Sequence, residues 1–349
     1  MLMFLVLYIF MSVIVIATRL LDEVLFPSYR KIEINKPVFI IANPRSGTTY
    51  LHRLFCLDGE KYNYTLLYHT IFPSITLFKI IDFFGWIDRR TGRPLRKFFD
   101  FLDSKLFKGW ENIHPMGFNK SEEDEGTYVF TMITAGIFLL CPYLDEIPWV
   151  KFPDKMSERA RRSLMEFYKS TIQRVAYAQG HQKIFLSKNV MSTGRLASLL
   201  EYFPSARIVY IVRNPYSSVP SFISMFSSAW RGHSKDIPEN SPHHRAWGQL
   251  GMDYYTYFHE KIKLLDERQT ITLKYDDLVQ HPVETVLSVY EKFDLGISES
   301  FITKLKSETS KQKSYRSDHD YSLEQFGMSK QEVLQEIEWV FDKYEFSKN

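Results

Sequence analysis

Three short stretches hold residues whose types and spacing suit chemistry on an anion. The first is Pro44-Arg45-Ser46-Gly47-Thr48-Thr49, between an apolar run and a predicted helix. A tight turn at a helix N-terminus aims backbone N–H groups and the positive end of the helix dipole at an anion. Gly47 lets the backbone approach closely, while Ser46, Thr48 and Thr49 add hydroxyls. Arg45 offers a charged fork for phosphate or sulfate oxygens. The Walker pattern Gly-x-x-x-x-Gly-Lys-Ser/Thr is absent, and so is its lysine. The second stretch runs from Arg213 to Ser221. Arg213 follows the apolar run ARIVYIV, at the carboxyl end of a strand where open α/β sheets take ligands. Ser221 lies two helical turns onward and can face the same anion. The third is Lys188, which leaves the strand KIFLS; a cation there can follow charge developing on a bridging oxygen. Taken singly, each has a plainer reading: a helix cap with a surface arginine, a strand-end ion pair and a solvated lysine.

These groups need strands that end where they stand. PVFIIA (37–42) is a continuous apolar run, the mark of a strand buried on both faces of a parallel sheet. A helix is predicted from Thr48 to about Leu57. Residues 62–118 are rich in aromatics and Lys/Arg, with Gly85, Gly92, Pro94 and Gly109 as breaks, and predict helices and loops with no sheet. A helix is expected over Glu122–Leu140. Ser157–Gln179 is the clearest amphipathic helix: Ser157 caps it, Leu164, Tyr168, Ile172 and Val175 share a face, and Gly180 stops it. Strands are expected at Lys183–Ser187, Ala206–Val212 and Thr270–Tyr275. Helices are expected at Thr193–Tyr202, Tyr216–Trp230, much of 243–268 and Val283–Phe293. Ser329-x-x-Glu332 is a capping box for the last helix. Strands alternating with helices give an α/β fold, a central parallel sheet flanked by helices.

Composition narrows the classes. Hydrophobic residues at 45% and charged residues at 24% exclude a disordered or fibrous chain. Two cysteines, Cys56 and Cys141, make neither a disulfide framework nor a cysteine-rich zinc site. A net charge of +3 does not suggest nucleic-acid binding. Aromatic residues at 16% suit an apolar cleft, a lipid surface or simply a large core. Met1 to Thr18 carries no charge and has the length of a short membrane span. An uncleaved anchor is favoured over a signal peptide or a buried helix, because no basic residue precedes it and no clear cleavage site follows. Arg19, Arg30 and Lys31 then place the body of the protein on the cytoplasmic side, with a lumenal, Golgi-type orientation left open. Two sequons, Asn63-Tyr64-Thr65 and Asn119-Lys120-Ser121, are no more than chance supplies.

In this order, the three stretches resemble a sulfotransferase over most of the chain from residue 37. PRSGTT resembles the loop that grips the 5′-phosphosulfate of 3′-phosphoadenosine 5′-phosphosulfate (PAPS). The Arg213–Ser221 segment resembles the family's 3′-phosphate motif. KIFLSKNVMSTGRLASLLEYFPSARIVYIVRNP, LKYDDLVQHP with Tyr275, and HDYSLEQFGMSKQEV are similar to the branch with many bacterial and, more distantly, tyrosylprotein sulfotransferases. The resemblance implies a P-loop-like sulfotransferase domain over 37–349, after an anchor helix at 1–18 and a linker at 19–36. It implies PAPS as co-substrate without a metal. Arg45, Ser46, Gly47, Thr48, Thr49, Arg213 and Ser221 would bind the donor, with Arg45 and Lys188 in catalysis.

One departure matters: the histidine that serves as base in the cytosolic enzymes falls on Val190. Two residues could replace it. Glu123, first of Glu123-Asp124-Glu125, could accept the acceptor's proton from the start of a helix. His69, after the cradle helix, has a suitable ordinary pKa. Both have structural readings, as an acidic first helical turn and as a packed histidine. The acceptor would be a hydroxyl, or an amine, on a small molecule, a lipid or a glycan. The anchor and the aromatic, basic stretch Tyr62–Phe118 favour an amphiphilic alcohol or lipid, and a tyrosine hydroxyl stays open. A P-loop kinase and a catalytically silent, membrane-tethered nucleotide-binding protein are the competing readings. The sequence is silent on oligomeric state.

Overall fold

The computed structural model describes residues 2–94, 97, 121–312 and 321–349, with side chains from residue 5 onward. Five parallel strands form one sheet in the order β2-β3-β1-β4-β5. They are β1 (Val38–Ala42), β2 (Tyr62–Tyr64), β3 (Ile184–Lys188), β4 (Arg207–Val212) and β5 (Thr270–Lys274). β1 lies at the centre, with Ile40 opposite Lys188 of β3 and Val209 of β4. Every residue of β1 is buried, as expected of a parallel strand covered on both faces. Alternation divides the side chains between two cores. Phe39, Ile41, Phe185, Ile208 and Tyr210 face one; Val38, Ile40, Leu186, Val209 and Ile211 face the other.

Helices cover both faces. Leu51, Leu54 and Phe55 of α2 (Thr48–Cys56) pack in the second core beside Val286, Val289 and Tyr290. Leu164, Met165, Tyr168, Ile172 and Val175 of the helix Glu158–Gln179 pack in the first, and the Ser157 hydroxyl caps it as its sequence predicts. The helix Pro215–His233 opens with Asn214 capping the N–H of Tyr216. The Ser329–Glu332 capping box is present with both of its bonds.

Three expectations need correction. Tyr62–Tyr64 is a strand, the β2 edge, pairing in parallel with Ile184–Leu186. Three residues are too few to show alternation. The backbone of Tyr64 is instead held from outside, by the side-chain amide of Gln179 bonding both its N–H and its C=O. Most of the rest of that stretch beyond Pro94 lies outside the described residues. The expected helix Glu122–Leu140 is two 3-10 turns, Asp124–Thr131 and Ala135–Leu139. Met132 breaks them with φ +57°, and Thr134 caps the second through Gly136 N–H. The expected linker at 19–36 is no linker. The apolar helix α1 runs from Leu2 to Leu25, and its last turns are welded to the domain. Arg174 bonds Asp22 and Glu23 at 2.8 Å each, and Arg19 donates to Pro73 O and Thr171 Oγ1.

Of the two sequons, Asn63 is buried in β2 with its amide donating to Gly180 O at 2.7 Å, so the folded chain offers it to no glycosyl donor. Asn119 lies outside the described residues.

Candidate active site

The carboxyl ends of β1, β3 and β4 converge on the loop that follows β1. β1 delivers Arg45, Ser46 and Gly47, and α2 starts at Thr48. Gly47 is the N-cap, with φ +83°, and has no side chain to cap the first N–H groups of α2. A Cβ at Gly47 would sit 3.0 Å from the Tyr275 ring, so both the backbone angle and the space require glycine. The Ser46 hydroxyl is fully buried and has no partner among the described residues. A buried hydroxyl without a partner costs free energy unless a ligand or water satisfies it. A helix N-terminus left uncapped beside it is the arrangement an anion fits.

Two arginines complete this wall. Arg45 Nε donates to Ser221 Oγ at 3.2 Å, and Arg213 Nη1 donates to Arg45 O at 2.7 Å. Arg213 lies over the Tyr275 ring at 4.3 Å, and its own carbonyl accepts from the buried Tyr255 hydroxyl. The loop, Arg213 and Ser221 are thus one bonded unit, brought together from β1, β4 and the helix after β4.

Lys188 ends β3 on the same face of the sheet as Leu186, the α2 side, and is 1% exposed. Its Nζ donates to Thr49 Oγ1 at 3.0 Å and pairs with Glu123 Oε1 at 2.6 Å. The acidic run straddles the end of β3. Glu123 meets Lys188. Asp124 accepts from Ser187 Oγ at 2.7 Å and from the Tyr168 hydroxyl, on the opposite face. Glu125 takes the Asn189 amide at 2.9 Å and pairs with Arg195 at 3.0 Å. Strand alternation puts the partner of Glu123 on one face and those of Asp124 and Glu125 on the other. Asp124 is fully buried, and desolvation pushes its carboxyl up to about 6. Glu123 keeps about a quarter of its side chain exposed, so it alone of the three stands between the buried lysine and the outside.

His69 is placed elsewhere. It is buried against the rings of Tyr68 and Phe78, its Nδ1 accepts from Leu66 N–H at 3.2 Å, and burial pushes its imidazole down to about 3. Its bonded partners are Leu66 and Gln179, not the cradle. Tyr275, named in the sequence for the resemblance, backs Gly47. Two residues that the sequence did not single out also build the site: Asn189 and Arg195 hold Glu125. Asn189 carried a signal, since it follows Lys188 directly and caps the next turn through Met191 N–H. Arg195 carried none.

Comparisons with known proteins identify the family and the fold. Residues 37–299 match the sequence profile described as the Sulfotransferase family. Two curated relatives, from Mycobacterium bovis and Mycobacterium tuberculosis, are each named omega-hydroxy-beta-dihydromenaquinone-9 sulfotransferase Stf3. They are 25% identical over 99% of this chain and 85% of their own length. Among solved structures, sulfotransferase STF9 from Mycobacterium avium superposes with a TM-score of 0.76 at 15% identity, covering 95% of this chain and 82% of that one. Sulfotransferase STF1 from Mycobacterium tuberculosis superposes at 0.68 and 18% identity, covering 93% and 82%. The profile begins at β1 and runs through every strand and every residue of the cradle, so the chain belongs to the sulfotransferase family and is a sulfuryl-transferring enzyme.

Proposed function

We propose that the protein moves the sulfuryl group of PAPS to the hydroxyl of a membrane-borne lipid alcohol. The observation that carries the reading is the pairing of buried Lys188 with half-open Glu123, beside Thr49 at the mouth of the cradle. In this reading Ser46, Gly47, Thr48 and Thr49 hold the phosphosulfate, and Arg213 and Ser221 hold the 3′-phosphate. The buried Ser46 hydroxyl and the uncapped α2 N-terminus fit such a group. Glu123 takes the proton of the acceptor hydroxyl as its oxygen bonds to sulfur. The bond from sulfur to the bridging oxygen breaks, and that oxygen leaves with the nucleotide 5′-phosphate. Lys188 and Arg45 stabilise the charge that gathers there. The two events support each other: protonation of Glu123 cancels the charge that held Lys188 and frees its ammonium for the leaving oxygen.

The lipid acceptor is supported by two things. The mycobacterial relatives act on a hydroxylated quinone lipid, and α1 is long and apolar enough for a membrane. The cations beyond α1 favour the cytoplasmic face. The test is transfer from sulfur-radiolabelled PAPS to an omega-hydroxylated polyprenyl quinone, with a glycan and a tyrosyl peptide as rivals. Label on the lipid is expected. Label on a rival alone, or retained on the nucleotide, overturns the acceptor assignment.

A further inference from the structure

Eleven bulky apolar residues of α1 are largely exposed, including Phe10 at 61%, Leu20 at 65% and Val24 at 76%. A soluble surface scatters such residues singly. One stripe of α1 is nevertheless occupied by the domain. The Tyr8 hydroxyl donates to Val129 O at 3.3 Å, Val15 is buried, Arg19 bonds Pro73 and Thr171, and Asp22 is 0% exposed. Tyr8 to Glu23 therefore lies against protein, a length of about 22 Å at the helical rise. A bilayer has a hydrocarbon core of about 30 Å. The part of α1 ahead of Tyr8, from Leu2, is about 10 Å long, short of that thickness.

The helix Ile75–Arg90, α3, packs on α1, and Asp22 of α1 accepts from its Ile75 and Thr76 N–H groups. Ile80, Phe83, Phe84 and Trp86 of α3 are exposed, at 44% to 56%. Phe83 and Trp86 stack, Arg90 lies over Trp86 at 4.1 Å, and Arg89 and Arg90 fill the last turn. Aromatic residues followed by arginine suit the boundary between acyl chains and phosphate headgroups.

We propose that α1 and α3 together form a monotopic platform seated in one leaflet of a phospholipid bilayer, so that α1 does not span it. The apolar faces sit among the acyl chains, and Arg89 and Arg90 meet lipid phosphates. Val129, which Tyr8 touches, belongs to the 3-10 turn that starts directly after Glu123. The platform thus borders the segment that carries the base, and a lipid hydroxyl reaches the site from the leaflet without leaving it. The proposal rests on the membrane reading above and not on the choice of acceptor.

The test uses the full chain and vesicles of phosphatidylcholine and phosphatidylglycerol. Combined Phe83→Glu, Phe84→Glu and Trp86→Glu should weaken flotation with vesicles by more than about tenfold. Melting temperature, binding of 3′-phosphoadenosine 5′-phosphate and transfer to a short water-soluble alcohol should stay at parental values. An epitope tag ahead of Met1 should be cut by protease added on the side where the domain is cut. Undiminished flotation of the triple variant overturns the role of α3. A tag protected while the domain is digested shows a spanning helix and overturns the platform. So does light scattering in which the variant turns a dimer into a monomer, since the face would then belong to a second copy. Parental protein that floats with the vesicles yet leaves the lipid unlabelled counts against the acceptor reading alone.

Discussion

Arg174 and Lys188 are both 1% exposed and both paired with carboxylates, yet their surroundings differ in kind. Arg174 is saturated. It bonds Asp22 and Glu23, donates to Ser170 O at 3.1 Å, and lies over the Tyr29 ring at 4.1 Å. Asp22 is saturated too, since it also accepts from Ser74, Ile75 and Thr76. Asp22, 0% exposed, cannot leave Arg174 without stranding a charge. Lys188 has Thr49 and the half-open Glu123, and an ammonium has three N–H groups. Its carboxylate can change partners because water reaches it. A buried cation in a closed cage holds elements together; one with an exchangeable partner at a sheet's carboxyl end is placed for chemistry.

Substituting the two cations by methionine separates these roles. Lys188→Met should lower turnover by about 10²–10³-fold, the scale of a lost transition-state donor, with a melting temperature close to the parent's. Glu123→Gln should cost about 10²–10⁴-fold in rate if Glu123 is the base. Arg174→Met should do the reverse, lowering stability in urea by about 3–5 kcal/mol because Asp22 stays buried and unpaired. Its surviving folded fraction should turn over normally. Were Lys188→Met to lose stability instead, the lysine would be a second structural pair.

The donor wall offers a finer comparison. Arg213 is tied to the loop through Arg45 O and to Tyr275, so its guanidinium is preset toward one side. Arg213→Gln should weaken 3′-phosphoadenosine 5′-phosphate by about tenfold to a hundredfold in calorimetry, the worth of hydrogen bonds to a charged group. Binding of ADP should change far less. Equal losses for both nucleotides would move Arg213 away from the 3′-phosphate.

The sequence displayed the cradle because each of its parts is local. Gly47 needs φ > 0, α2 needs an N-terminus, and Arg213 and Lys188 end apolar strands. It displayed the two-faced sheet through continuous apolar runs. What it concealed depends on contacts distant in the chain. β2 is a strand because Gln179 and β3 hold it, not because Tyr62–Tyr64 has a pattern. Residues 19–25 are charged at Arg19, Asp22 and Glu23 and look like a solvated linker. Ser74–Thr76, some 50 positions on, and Arg174, some 150 on, turn those charges into a docking cluster. The division of labour within Glu123-Asp124-Glu125 was equally invisible, since it follows from how the run crosses the end of β3.

Asp124 gives that division a thermodynamic signature. Its carboxyl is raised from 3.8 to about 6 by desolvation. The folded state then holds a proton that the unfolded state has lost between those values, so this group's contribution to stability falls as pH rises through the window. Asp124→Asn removes the titration. The urea stability of the variant relative to the parent should rise between about pH 4 and about pH 7. A flat difference would mean that Asp124 ionises normally in the fold.

The smallest expected effect is at His69, and it compares two candidates for one role. Burial lowers its imidazole from 6.5 to about 3, and its Nδ1 is already occupied by Leu66 N–H. A base must offer a lone pair to the substrate, and this ring offers it to the backbone. His69→Asn should therefore leave kcat/KM at the parental level, where loss of a true base would cost about 10²-fold or more. Its mark should be on acid stability. With a depressed pKa, the unfolded state binds more protons between about 3 and 6.5, so stability is lost as pH falls through that window. His52, buried and lowered to about 3 as well, contributes a second decline of the same sign. Removing His69 should make the acid limb shallower without abolishing it. A rate collapse in His69→Asn with donor binding intact would reverse the assignment and return Glu123 to the helix-start role its position also suits.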